Sequence, residues 1–296
     1  MLGLDPDPSK LWPSSAGADP AASTPAHAAA TAVLRHCLAL IDATAEACVA
    51  IKPQLARFEA LGAPGRTTLA AVADHARERG LLVIADGKRG DIDVTARAYA
   101  ASLVGGLDTP FGHVEGLGAD LVTVNPLMGR DAVEPFVDAA RAAGAGVLLL
   151  VRTSNPGAAD IEDLELRGSG RVWERLAAMV DELGREGTGQ SGLSDVGAVI
   201  GATEPWHLER ARELMGNATF LLPGIGAQGG RIEDLAPAFA HGRAGGLVVA
   251  SRSISEAHKP GGADPAASAR AEAERLRAEA WALSGQLARA AGEPVL

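Results

Sequence analysis

The sequence predicts one α/β domain spanning 1–296, of the (β/α)8-barrel class. Three observations carry that expectation. Short runs rich in Val, Ile and Leu alternate eight times with longer Ala-rich stretches of helical composition. The apolar runs are nearly continuous, as in strands buried on both faces. With 296 residues, 47% of them hydrophobic, the chain can fill one large core.

The elements follow in order. Strands are expected over Leu2–Asp5, Ala47–Lys52, Leu81–Asp86, Ala119–Asn125, Gly146–Arg152, Val196–Ala202, Thr219–Pro223 and Gly245–Ser251. Helices are expected over about 26–46, 64–79, 92–104, 130–143, 169–184, 204–216 and 231–241, with a last one over about 263–291. The Pro/Ser/Ala-rich stretch at about 12–25 reads as a flexible loop, and Val104–Gly118 reads as a long one. An open doubly wound sheet is the competing arrangement, but no GxGxxG follows the first strand.

Composition narrows the function. Aromatics are 3% and charged residues 22%, so the core is aliphatic and the chain is neither disordered nor fibrous. A net charge of −10 argues against a general nucleic-acid or anionic-membrane binder. No apolar run approaches the roughly 20 residues that span a bilayer, and MLGLDPDPSK carries no secretory signal. The two cysteines, Cys37 and Cys48, read as free thiols, which with the missing signal points to the cytoplasm. The histidines show no metal-ligand spacing. Trp173 and Met179 read as packing residues, and His113 as a solvated loop residue.

In a barrel, chemistry gathers at the C-terminal strand ends. Those ends carry Asp5, Lys52, Asp86 with Lys88, Asn125 and Ser154, then a Gly-rich turn, then Arg252. Residues two apart on an extended strand share a face, so Asp86 and Lys88 are both expected at the barrel mouth. A lysine among carboxylates stays charged and can serve as a proton donor. Asp91 falls where a helix should start, and N-capping is the ordinary use of such a residue. In Pro223-Gly-Ile-Gly226-Ala-Gln228-Gly229-Gly230 the glycines free backbone N–H groups to face an anion, and Arg252 can grip a phosphate.

These segments resemble orotidine 5′-phosphate decarboxylases of the branch common in actinobacteria. The resemblance covers most of the chain and rests on GLDPDP (3–8), VAIKPQLARFEALG (49–62), VIADGKRGDIDVTARAYA (83–100), ADLVTVNPLMGRDA (119–132), VRTSNPGA (151–158), VGAVIGAT (196–203), LLPGIGAQGG (221–230) and ASRSI (250–254). It implies a barrel working as a cytoplasmic homodimer on a small nucleotide, without metal or organic cofactor. Lys52, Asp86, Lys88 and Asp91 would form the charged catalytic network. Asp91, Ile92 and Thr95 would reach the second subunit's site. Asp5 would bind the ribose, Ser154 the pyrimidine, and Gln228 both pyrimidine and phosphate. Arg252 and the backbone near Gly229 would hold the phosphate, with Asn125, Pro223 and Gly226 also lining the substrate site. Two departures are visible. The chain starts almost inside its first strand, where the family usually has a lead segment, so that strand is expected to be short. Gly87 stands where the family usually has Ala or Cys.

Two other functions share these features. One is a metal-dependent sugar-phosphate decarboxylase or aldolase with the same Asp-x-Lys-x-x-Asp run. Those enzymes carry an acidic metal ligand where this chain has Lys52, and a cation there disfavours a divalent ion. The other is a non-catalytic barrel that only binds a nucleotide phosphate.

Overall fold

A computed structural model describes residues 1–17, 21–168, 170–202, 205–226, 229–259 and 261–290. The strands are β1 (Leu2–Leu4), β2 (Ala50–Pro53), β3 (Leu82–Arg89), β4 (Gly106–Thr109), β5 (Gly112–Glu115), β6 (Leu121–Val124), β7 (Gly146–Arg152), β8 (Val196–Ile200), β9 (Phe220–Leu222) and β10 (Gly246–Val248). The helices are α1 (Pro25–Thr44), α2 (Leu55–Glu59), α3 (Gly62–Glu78), α4 (Asp93–Leu103), α5 (Arg130–Ala142), α6 (Val172–Gly184), α7 (Pro205–Leu214), α8 (Arg252–Ser255) and α9 (Pro265–Ala290). Eight strands pair in the order β1-β2-β3-β6-β7-β8-β9-β10, while β4 and β5 form a separate hairpin. Strands alternating with helices in this way give the (β/α)8 architecture that the sequence predicts.

The chain divides into two compact units: Met1–Gly87 with Ala250–Arg277, and Lys88–Val249 with the chain from Ala278 on. In the first unit, β1 pairs with β2 in the register Leu2↔Ile51, Gly3↔Lys52 and Leu4↔Pro53, and β2 pairs with the start of β3. Thr24 caps α1, its hydroxyl accepting the His27 N–H at 3.3 Å, and Pro25 fits the first turn because its missing N–H is not needed there. α1 with its following turn, Pro25–Ala47, is long and apolar enough to span a membrane by length and composition, contrary to the expectation that no run approaches that length. Half of its most apolar window is buried. Its buried side chains Ala30, Val33, Cys37, Leu40, Ile41 and Thr44 recur at helical spacing, the pattern of a core helix packed on α3. Cys37 is fully buried, and desolvation pushes its thiol up to about 12. The stretch read as a flexible loop is anchored at Trp12, which is buried and donates its indole N–H to the Ser255 carbonyl at 2.8 Å. The backbone N–H of Trp12 donates to His36 Nδ1 at 3.2 Å, and the Trp12 ring meets His36 edge-on at 5.3 Å.

In the second unit, β6 to β10 run parallel, and β8 and β9 are buried along their whole length. Arg212 of α7 ties this unit together, with no carboxylate partner among the described residues. Its guanidinium donates to the carbonyls of Met215, Gly216, Ala218, Ala238 and Gly245 at 2.7–3.1 Å and lies 3.9 Å over the Phe220 ring. Burial pushes it down to about 10, still cationic at neutral pH.

Two expectations need correction here. Val104–Gly118 is not a structureless loop, because β4 and β5 pair antiparallel from Gly106↔Glu115 to Thr109↔Gly112. Gly112, at φ 115°, makes the return that a side chain would resist. The segment expected as a helix over 231–241 is a 3-10 helix, Ile232–Phe239, containing Pro237. Proline has no N–H to bond to the carbonyl four residues back and its ring crowds that carbonyl, which disfavours an α-helix there.

Candidate active site

In the first unit, the ends of β2 and β3 place a lysine and an aspartate side by side. Lys52 Nζ donates to Asp86 Oδ2 at 2.5 Å, with side chains only 7% and 5% exposed. Two charges so buried need each other: their attraction offsets desolvation only where the geometry is close. Gln54 adds a second donor to the same oxygen at 3.3 Å. Its own N–H donates to the Leu4 carbonyl at 2.9 Å, tying β2's end to β1. The sequence reading overlooked Gln54. Its signal was there, since it lies two residues beyond Lys52 and so shares its face on an extended strand.

Asp5, Gln54, Arg57 and Arg252 line one cavity of about 360 Å3 in this unit, together with Asp7 and Glu256. Asp5 and Arg252 are exposed, and Arg252 is the first residue of α8.

The second unit opens with Lys88. Its φ is 48°, a left-handed conformation that costs a residue with a side chain about 1–2 kcal/mol. Strand alternation therefore fails at this residue and does not place its side chain. The Lys88 N–H donates to the Thr123 hydroxyl at 2.9 Å, and Thr123 is fully buried on β6. Thr123 is a second residue the sequence reading passed over, although it is a polar interruption of the apolar run LVTV. Next, the Asn125 N–H donates to the Arg89 carbonyl at 2.7 Å. A Cβ at Gly90 would sit 3.0 Å from the Asn125 carbonyl oxygen, so a side chain there would push this approach apart by a few tenths of an ångström. Asn125 Oδ1 accepts the Leu127 N–H at 3.0 Å, a local turn bond rather than an open contact.

Asp91 is not the helix cap. α4 starts at Asp93 with Ile92 at the N-cap, and Asp91 Oδ1 accepts the Ile92 N–H at 2.8 Å. Asp93 takes the first-turn position and pairs with Arg97. Ile92 is 53% exposed, and Thr95 is exposed too. Ser154 follows β7 and packs against Gly201, where a Cβ would come within 2.9 Å of its backbone. Pro223 leads into a tight turn in which Gly224, Gly226 and Gly229 all have positive φ. The N–H groups of Gly226, Gly229 and Gly230 donate within that turn, to Gly230, Gly226 and Gly224 respectively, at 2.9–3.1 Å. They therefore do not face outward as the sequence suggested. Gln228 lies outside the described residues. Among the described residues, no group of three or more His, Cys, Asp or Glu is arranged to hold a metal ion.

The architecture and these charged strand ends define a (β/α)8-barrel enzyme. The chain belongs to the orotidine 5′-phosphate decarboxylase / HUMPS family, whose profile matches residues 2–267, and it is a carboxy-lyase. An orotidine 5′-phosphate decarboxylase of Deinococcus radiodurans is 46% identical over 221 residues, covering 74% of this chain and 76% of that one. The enzyme of that name from Rhodopirellula baltica is 41% identical over 233 residues, 78% and 75% of the two chains. Among solved structures, Leishmania donovani OMP decarboxylase aligns with a TM-score of 0.71 at 32% identity, covering 96% of this chain and 92% of that one.

Proposed function

We propose that the chain converts orotidine 5′-monophosphate to uridine 5′-monophosphate and carbon dioxide, with Lys88 as the proton donor. The observation that carries this reading is the buried Lys52–Asp86 ion pair at 2.5 Å, whose aspartate lies two residues before Lys88 on β3. The substrate carries a carboxylate on its pyrimidine ring. When that carbon–carbon bond breaks, its electron pair stays on the ring carbon and carbon dioxide departs. The Lys88 ammonium stabilises the developing carbanion and then gives it a proton, which solvent restores to Nζ. Asp86, held by Lys52 and Gln54, faces the departing carboxylate and raises the energy of the bound ground state.

Binding falls to residues remote from the bond that breaks. Asp5 holds the ribose, Ser154 the pyrimidine, and Arg252 the phosphate in a bidentate grip. Asn125, Pro223, Gly226, Gln228 and Gly229 complete the contacts. Binding energy from the phosphate end supports chemistry at the other end. The working unit is a cytoplasmic homodimer in which Asp91, Ile92 and Thr95 serve the second subunit's site. Ile92 and Val94 support this, because both are large apolar side chains left exposed on the segment that carries Asp91 and Thr95. No metal or organic cofactor takes part, and the ammonium of Lys52 stands where metal-dependent relatives have a carboxylate.

The test follows orotidine 5′-monophosphate absorbance on mixing with purified protein and excess chelator. Decarboxylation is expected at full rate, and Lys88→Ala is expected to lose at least about 1,000-fold while keeping the wild-type circular dichroism. Activity abolished by chelator would favour the metal-dependent sugar-phosphate reading. Uridine 5′-monophosphate binding without turnover would favour a non-catalytic barrel.

A further inference from the structure

Between β7 and α6, in the second unit, a group of charged side chains surrounds the backbone leading into Ser154. The β7–β8 register shifts between Leu150, which faces Val199, and Arg152, which faces Ile200. Such an irregularity re-aims the residue that follows it. The Arg152 guanidinium forks onto Asp163, with Nε to Oδ1 at 3.1 Å and Nη2 to Oδ2 at 2.9 Å. Its remaining nitrogen, Nη1, donates to the Thr153 carbonyl at 2.6 Å. Glu162 holds the other side of Thr153. Its Oε2 accepts the Thr153 N–H at 2.8 Å and its Oε1 accepts the Thr153 hydroxyl at 2.9 Å. The same hydroxyl lies 2.7 Å from Asn155 Oδ1, so its one hydrogen has two acceptors within reach.

Every peptide group entering Ser154 is thereby fixed. The Arg152 carbonyl accepts the Gly201 N–H at 2.7 Å, Glu162 holds the Thr153 N–H, and Arg152 holds the Thr153 carbonyl. The anchors are themselves rigid. The Glu162 N–H donates to the Ala158 carbonyl at 2.7 Å, and the Glu162 carbonyl accepts the N–H of fully buried Trp173 at 2.9 Å. Burial alone would push the Asp163 carboxyl up. The Arg152 fork, with His207 and Arg171 nearby, outweighs that and holds it below its ordinary value, so the anion persists. The side chains of Arg152, Glu162 and Asp163 are 13%, 18% and 21% exposed, sheltered enough for these bonds to be strong.

We infer that Glu162, with the Arg152–Asp163 pair, is a positioning device that fixes Ser154 for the pyrimidine ring. It touches no reacting atom and acts only through the Thr153 backbone. The inference rests on the reading above in which Ser154 meets the base. A strand-to-loop junction would otherwise wander, and a misplacement of about 1 Å can cost about 100-fold.

The test separates base recognition from phosphate recognition. Affinities for uridine 5′-monophosphate and for ribose 5-phosphate, which lacks the base, are measured by calorimetry alongside kcat/KM. Glu162→Ala is expected to weaken uridine 5′-monophosphate binding and kcat/KM by about 10- to 100-fold, with ribose 5-phosphate affinity unchanged within about twofold. Glu162→Gln keeps an oxygen acceptor for the Thr153 N–H and should recover most of the loss. Thr153→Val, which removes one hydroxyl and no charge, guards against a misfolded Glu162→Ala and should shift the same selectivity by about three- to tenfold. Wild-type selectivity in Thr153→Val and Glu162→Ala overturns the inference, as does an equal loss for both ligands. If the wild-type protein itself neither binds uridine 5′-monophosphate nor turns over its precursor, the functional reading falls, and the inference with it.

Discussion

At the scale of single residues, the Lys52–Asp86 pair has separate consequences for stability and for chemistry. Removing one partner leaves the other charge buried and uncompensated. Asp86→Ala is therefore expected to lose about 3–5 kcal/mol in urea denaturation. Replacing both, as Lys52→Met with Asp86→Leu, should restore most of that stability yet leave the protein inactive. An active double variant would break the link between the pair and turnover. Each partner was legible as a candidate, because it interrupts an apolar run at a strand end, whereas their pairing followed only from the resemblance. The conformation of Lys88 was not legible. Gly87 and Gly90 flank it and look like the flexible points, yet left-handed backbone falls on Lys88 and Asp93. Local propensity points to glycine for such angles. Here a tertiary bond, the Lys88 N–H to the buried hydroxyl of Thr123, accompanies the unfavourable angle at lysine.

At the scale of elements, α1 and the segment before it depend on a neutral histidine. Burial, reinforced by repulsion from His258, lowers His36 to about 4 from its usual 6.5. Its Nδ1 must be unprotonated to accept the Trp12 N–H. The unfolded chain binds this proton more readily, so stability is fully present above pH 6.5 and is lost as pH falls from 6.5 towards 4. Over that whole window the loss attributable to His36 is about 3 kcal/mol. Unfolding free energies measured between pH 7 and 4 should show this slope, and His36→Asn should flatten it. The sequence could not announce this anchor, since Trp12 and His36 are far apart in the chain and only folding joins them. The β4–β5 hairpin was missed for a different reason: most of its side chains are exposed, so no buried face imposed a pattern on the sequence. The long buried strands were read well because burial on both faces leaves a continuous apolar signature.

At the scale of the whole molecule, the shared site we propose makes a demand that one chain cannot meet. Inactive Asp91→Ala and Lys88→Ala subunits, mixed and exchanged, should recover activity, because one site of each heterodimer collects both lesions and the other none. Random exchange predicts about a quarter of the wild-type sites. Zero recovery after exchange shown by mass spectrometry would rule out sharing of Asp91. The fold class was legible from the eightfold alternation alone, whereas the site needed motifs, since charged strand ends by themselves fit several chemistries. Cys37 adds one more consequence. Sealed inside α1's packing and with its thiol pushed up to about 12, it offers alkylating reagents neither access nor a thiolate at neutral pH. Half-buried Cys48 has no such seal. Any label that arrives on Cys37 must therefore have waited for the first unit to open, which makes that sulfur a clock for how often it does.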